Sequence, residues 1–135
     1  MSTTNQSIYQ SSLGHIGITA DSTQYADYED RAPYLLANFC SAAKGVDKRI
    51  RKLEGLSPAP SFSPVFIALD KDFPLCDALI PSAVLYLAAM LVLEEDRELS
   101  DSLYDKYCDS IASLSADAES ASFESGSITE KYFSN

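Results

Sequence analysis

Histidine, paired cysteines and long apolar runs are all scarce in this chain, and each shortage removes a class of function. The only histidine is His15, and no Ser or Cys neighbour forms a nucleophile motif with it, so it reads as structural or solvent-exposed. Three cysteines, Cys40, Cys76 and Cys108, are odd in number and widely spaced. They give neither a disulfide framework nor a CxxC zinc pattern, and each, set among apolar residues, reads as a small core side chain. The uninterrupted apolar run from Ala83 to Leu93 falls short of the roughly 20 residues that a bilayer span needs. It is expected to be a buried core helix, and no membrane partner is expected. "MSTTNQSIYQSS" has no basic start and no apolar stretch before a cleavage site, so no signal peptide is expected either. There is no P-loop, GxGxxG or GxSxG pattern. Asp70 and Asp72 lack the glycine and distal glutamate of a calcium loop, and "DKD" reads as a turn. These absences point away from an enzyme, a metal or a cofactor.

Positive charge is scarce as well: ten Lys and Arg stand against twenty Asp and Glu, a net charge of -10. Binding to nucleic acid by phosphate neutralisation needs clustered bases, and the balance argues against it. An acidic wall beside a duplex still suits a surface that DNA must slide past without sticking. At 135 residues the chain holds one domain at most, large enough to bury roughly two-thirds of its unfolded surface.

What is present is helical patterning between two polar ends. Residues 1–24 are rich in Ser, Thr, Gln and Gly, with only Ile8, Tyr9, Leu13, Ile16 and Ile18 as an apolar set, and read as an arm loosely structured alone. From about Tyr28 to Glu54, residues Ala32, Leu35, Leu36, Phe39, Ala43, Val46, Ile50 and Leu53 recur at helical spacing. Pro33 is tolerable only if that helix begins within a few residues of it. The apolar phase survives Gly45, so one helix, bent or straight there, is favoured over two. Gly55 supplies a stop, with Leu56 placed to fold back on the last turn. Residues 57–64, "SPAPSFSP", hold three prolines and cannot continue a helix. Val65 to Leu69 suits an extended run that must pair with another chain, pair with the N-terminal arm, or lie over the helices. Leu75 to Leu79 is expected to turn into the buried helix, with Pro81 at its first position and its end near Glu94. A second helix follows on Leu99, Leu103, Tyr107, Ile111 and Leu114.

The fold class is therefore mainly α: a small helical bundle with an extended Pro-rich connector or short strand and flexible N- and C-terminal arms. Its parts are an N-terminal arm 1–24, a helical domain 25–114 containing the extended loop 57–74, and an acidic Ser-rich tail 115–135.

Three groups of residues are candidates for contact. Lys44, Lys48, Arg49, Arg51 and Lys52 place half of the bases within nine positions. They fit the negative C-terminal end of a helix, or form a basic patch between subunits. Glu94, Glu95, Asp96, Glu98, Asp101, Asp105 and Asp109 gather seven acids between 94 and 109; Asp101, Asp105 and Asp109 fall along one helix side. Such a run is an ordinary solvated face, or the surface that meets the basic patch of the next subunit, a head-to-tail contact that closes into a ring if the rotation permits. Phe123, Ile128, Tyr132 and Phe133 are apolar points in the tail, which reads as filler or as a peptide that orders on a partner.

The order of elements, a helix opened by "YADYEDRAPYLLANFC", a Pro-rich connector, then "LDKDFPLCDALIPSAVLYLAAMLVLEEDRELSDSLYDKYCDSIASL", resembles the head-tail connector (adaptor, head-completion) proteins of tailed bacteriophages and prophages, most closely those of Gram-positive hosts. The resemblance covers roughly residues 22–114, and "DALIPSAVLYLAAMLVLEED" followed by "LYDKY" is its most specific part. It implies a helical-bundle subunit of a homo-oligomeric ring, twelvefold in that family, at the head-tail interface of the virion, with assembly in the host cytoplasm. The implied partners are the portal protein and tail or head-completion proteins, with DNA passing through the channel unbound. The contact elements carried over are 1–24, 57–74 and 115–135, with the seven acids as a lumen or partner face. Two other readings stand beside it. One is a small acidic cytoplasmic interaction module, such as a DNA-mimic inhibitor or regulator; the other is an enzyme subunit completed by a second chain.

Overall fold

The computed structural model describes residues 3–18, 26–58 and 65–133; the side chains of Ala26 and of 121–133 lie outside that description. Four α-helices are described: α1 Asn5–His15, α2 Ala26–Leu53, α3 Ile80–Val92 and α4 Arg97–Phe133, with a 3-10 turn at Asp77–Leu79 leading into α3. The mainly α bundle expected from the patterning is what forms.

The apolar run becomes α3, the central post. Ala and Leu suit a helix, and Pro81 in the first turn needs no hydrogen-bond partner for the N–H it lacks. Eight of its thirteen residues are buried, and it packs against α1, α2 and, most extensively, α4. Its polar groups are matched where it meets α4. The hydroxyls of Ser82 and Ser110 lie 2.6 Å apart, and the Ser100 hydroxyl donates to the Ala89 carbonyl at 2.8 Å. Asp96 then starts α4, its carboxylate accepting from the Leu99 N–H.

Helix α2 is a single helix across Gly45, as the unbroken phase suggested. It ends at Gly55 in the left-handed region, with Leu56 N–H reaching Arg51 O at 2.8 Å and Gly55 N–H reaching Lys52 O at 3.4 Å, a Schellman stop. Pro33 departs from expectation, because it lies seven residues after Ala26 rather than near the helix start. The turn ahead of it is held from outside. Tyr28 is fully buried and donates its hydroxyl to Glu95 at 2.8 Å. The Arg31 guanidinium donates to the Leu91 carbonyl at 3.0 Å and lies over the Tyr28 ring. These contacts to the end of α3 offset the helix bond that proline removes.

The N-terminal segment requires a correction. It forms α1 from Asn5 to His15 and contributes Ile8, Tyr9 and Leu13 to the core. Burying three such side chains favours docking by roughly 1.5–3 kcal/mol each. Local signals start and stop it. The Thr4 hydroxyl accepts from the Ser7 N–H, and Gly17 at a positive φ ends it, with Ile18 N–H donating to Leu13 O.

The connector supplies what α1 still needs. Asn5 N–H donates to Lys71 O at 2.9 Å and Gln6 N–H to Leu69 O at 2.8 Å, satisfying two donors that a helix start leaves unpaired. The Asn5 side chain donates to Ala68 O, and Phe73 N–H donates to Thr3 O. Among the described residues there is no strand, only an isolated bridge between Thr4 and Asp72. The run from Val65 to Leu69 is thus an irregular cover over the bundle and the N-terminal segment, and Ile67 N–H meets Pro33 O. The expected turn forms at Leu69 and Asp70, with Lys71 N–H donating to Ala68 O at 3.2 Å.

The second helix runs past the expected end near Leu114. Ala118 is still buried, and Arg49 of α2 pairs with Glu119 at 3.0 Å. α4 continues as helix to Phe133.

Candidate functional site

The five bases of the proposed patch occupy the C-terminal turns of α2, but they do not form one free surface. Arg51 binds within the chain. Its Nε donates to Asp47 Oδ2 at 2.9 Å, and its two terminal nitrogens donate to the carbonyls of Ser57 at 3.1 Å and Pro74 at 3.2 Å. One guanidinium therefore ties both ends of the connector to α2. Asp47, 2% exposed, is doubly used because its other oxygen accepts the Cys76 N–H at 2.7 Å. A buried carboxylate is tolerable only with such partners. Arg49 joins α2 to α4 through Glu119 and, at 3.4 Å, the Ser115 hydroxyl. Lys44 is half-buried, whereas Lys48 and Lys52 are exposed. The surface left for a second molecule centres on those two lysines.

All seven acids are exposed, yet their duties differ. Glu95 receives the Tyr28 hydroxyl, Asp96 caps α4, and Asp101 faces Arg97 at 3.7 Å. Among the described residues Glu94, Glu98, Asp105 and Asp109 make no ion pair. Glu98, Asp101, Asp105 and Asp109 follow at three- and four-residue intervals and share one side of the helix. The result is a negative ridge, paired with a base only at Asp101 among the described residues and opposite the side that carries Leu103 and Tyr107 into the bundle. Tyr104 is exposed beside it, the outer member of an aromatic row whose neighbour Tyr107 lies 5.4 Å away and in turn meets Tyr86 and Phe39.

The cysteines divide. Cys40 is a core residue, as expected, and Cys76 is half-buried; Cys108, contrary to expectation, is exposed on α4, because its position falls off the apolar stripe. Burial pushes the Cys40 thiol up to about 12. Burial, and then the hydrogen bond to the Asp47 carboxylate, pushes Cys76 up to about 11. Neither is a thiolate near neutral pH, so neither is a ready nucleophile. His15 is exposed at the end of α1. No group of three metal-ligating side chains is found among the described residues, and no described helix is long and apolar enough to cross a membrane.

Of the three expected contact elements, the arm is mostly spent on the core. The connector is pinned at its ends but leaves Val65 and Phe66 outward, Phe66 meeting exposed Tyr34 edge-on at 5.1 Å. The side chains of Phe123, Ile128, Tyr132 and Phe133 lie outside the described residues. Two features were not picked out in the sequence. One is the Asp47–Arg51 clasp, whose signal is an acid four residues before a base at a helix end. The other is a shallow apolar groove of about 200 Å3, with Ile50, Leu53, Leu114 and Ala118 below and Glu54 and Asp117 at its edge. No sequence signal marks it, since it exists only where α2, the 3-10 turn and α4 converge.

Comparison with protein-family models, curated proteins and solved structures finds no match to this chain. What the geometry offers chemically is surface: a negative ridge, an exposed pair of lysines and small apolar patches.

Proposed function

We propose that this chain is a structural virion protein of a tailed phage. It forms a ring between the portal and the tail, extends the DNA channel, and gives tail or completion proteins a place to dock. The observation that carries this reading is the ridge from Glu98 to Asp109, exposed along one side of α4 and met by a base only at Asp101 among the described residues. A channel wall of that sign repels a duplex and lets it slide, whereas a basic wall would hold it. The order of elements, a helix with an early proline, a Pro-rich connector, a buried Ala- and Leu-rich helix and an acidic helix, supports the same assignment through its resemblance to head-tail connectors.

In this reading the ring closes head to tail, with Lys48 and Lys52 of one subunit against the acidic ridge of the next. Reversing Arg49 or Arg51 would test little, because both hold the subunit itself together. Lys48→Glu with Lys52→Glu isolates the intersubunit term and should abolish rings while leaving the monomer folded.

The direct experiment is to mix the purified chain with any portal protein encoded in the same genome, alone and on filled heads, and to image the complex. A ring stacked on the portal supports the proposal. Bare portal beside free chain would overturn it in favour of a small acidic interaction module, whose mark would be tight binding to a basic protein partner.

A further inference from the structure

The exposed side of α2 carries opposite charges at its two ends. Asp27 and Asp30 stand on it near the start and Lys48 and Lys52 near the end, all four exposed. They lie opposite the side that puts Ala32, Leu36, Phe39, Ala43 and Val46 into the core. Asp30, Lys48 and Lys52 make no ion pair among the described residues, and Asp27 meets only Arg31, at 3.7 Å. A helix side that is negative at one end and positive at the other complements a reversed copy of itself.

Between the charges stand two residues that the fold of the single chain does not explain. Tyr34 is 53% exposed, with Phe66 edge-on beside it. Gly45 is exposed in mid-helix, where glycine is a poorer helix former than any residue except proline. Its φ is not positive, and nothing among the described residues lies within 4 Å of where a Cβ would stand. Neither backbone conformation nor close packing within the described chain asks for a glycine there.

We infer that a second copy of this chain packs on this side of α2. The two α2 helices lie antiparallel about a two-fold axis that passes between Asn38 and Ser41. That register places Tyr34 of each copy over Gly45 of the other, where the missing side chain leaves room for the ring. It also sets Asp27 and Asp30 opposite Lys52 and Lys48, four attractive pairs in one contact, each modest alone on an exposed surface. Asn38 and Ser41, both exposed, meet at the centre and are short enough to let the helices approach. A parallel pairing would face lysines with lysines and aspartates with aspartates. The overlap from 27 to 52 is roughly 38 Å long at 1.5 Å per residue, and an isologous contact closes as a dimer. Lys48 and Lys52 also serve the ring contact proposed above, so the two contacts exclude each other, and the dimer is the state of the free chain that ring closure must open. The inference does not rest on the connector reading: a dimer without rings on the portal sinks that reading alone, and rings without a free dimer sink this one alone.

The test is sedimentation equilibrium of the full chain from nanomolar to high micromolar concentration. A reversible monomer-dimer equilibrium is expected, weakening as salt rises. Gly45→Leu should raise the dissociation constant by about 100-fold. The same substitution should raise the thermal midpoint of the dilute monomer, since a Cβ there meets nothing described in the chain and leucine favours the helix. Lys48→Glu with Lys52→Glu should raise the dissociation constant by about 100-fold as well. Asp27→Lys with Asp30→Lys should do the same, and mixing these two double variants should restore dimers, each now holding one chain of either kind. Thermal unfolding of each variant under dilute conditions checks that the bundle itself is folded. A chain monomeric throughout, an assembly other than a dimer, association indifferent to Gly45→Leu, a lower midpoint for that variant, or folded double variants that do not combine when mixed would each overturn the inference.

Discussion

Residues 3–18 and 115–133 are both rich in Ser and poor in apolar runs, yet the first lays three large side chains into the core while the described part of the second adds one small one, Ala118. Composition does not separate them; partners do. α1 receives the carbonyls of Leu69 and Lys71 at its open end, is closed by Thr4 and Gly17, and lays Ile8, Tyr9 and Leu13 against α3. Ala118 is the last buried residue described on α4. A polar segment joins a fold when another segment completes its hydrogen bonds.

The most severe way to break this comparison is to remove the support that both ends share. Leu87 is fully buried in α3, and Leu87→Asp would bury a charge without a partner at a cost of several kcal/mol. No cooperative thermal transition should remain in circular dichroism. Asp47→Ala comes next. It strands Arg51 and the Cys76 N–H together, and should cost about 3–5 kcal/mol in urea unfolding, with proteolysis moving to the freed connector. Leu13→Ala should cost about 2–5 kcal/mol, whereas deleting residues 121–135 should change the unfolding free energy of the dilute chain by less than about 0.5 kcal/mol. A large loss on that deletion would erase the distinction between the two ends.

A gentler probe is alkaline pH. The folded-state pKa of Cys40 is raised above its unfolded value, so its contribution is fully present below about 9 and is lost as pH climbs towards about 12. Tyr28, whose pKa burial and the Glu95 hydrogen bond also raise, adds to the same trend. Stability should therefore fall with rising pH above 9, by at most about 1.4 kcal/mol per unit from the thiol, and Cys40→Ala should flatten the slope. At neutral pH the exposed thiol of Cys108 should react with a maleimide in the native state, and Cys40 only on unfolding.

Much of the bundle was legible because strong periodicity outlasts local exceptions. The apolar phase carried α2 across Gly45, Gly55 marked its end, and Ala83 to Leu93 could only be a buried helix. Pro33 misled because the contacts of Tyr28 and Arg31 that hold the preceding turn come from residues 60 and more positions away. α1 was hidden for a similar reason. Its apolar set is short, and the carbonyls that complete it come from the connector, although Thr4 and Gly17 were local signals of a start and a stop. Of the candidate contact residues, the exposure of the seven acids followed from their number and spacing. That Arg49 and Arg51 are committed internally did not, because Glu119, Ser57 and Pro74 become neighbours only in the folded chain.

The most direct measurement of the contrast between the two ends is hydrogen exchange along the chain in dilute solution. The account predicts that the amides of α1 exchange only with global unfolding, because its start is closed by the connector and its apolar side chains are buried, and that deleting residues 121–135 leaves that protection unchanged. Rapid exchange of α1 in the folded chain, or loss of its protection on that deletion, would contradict it.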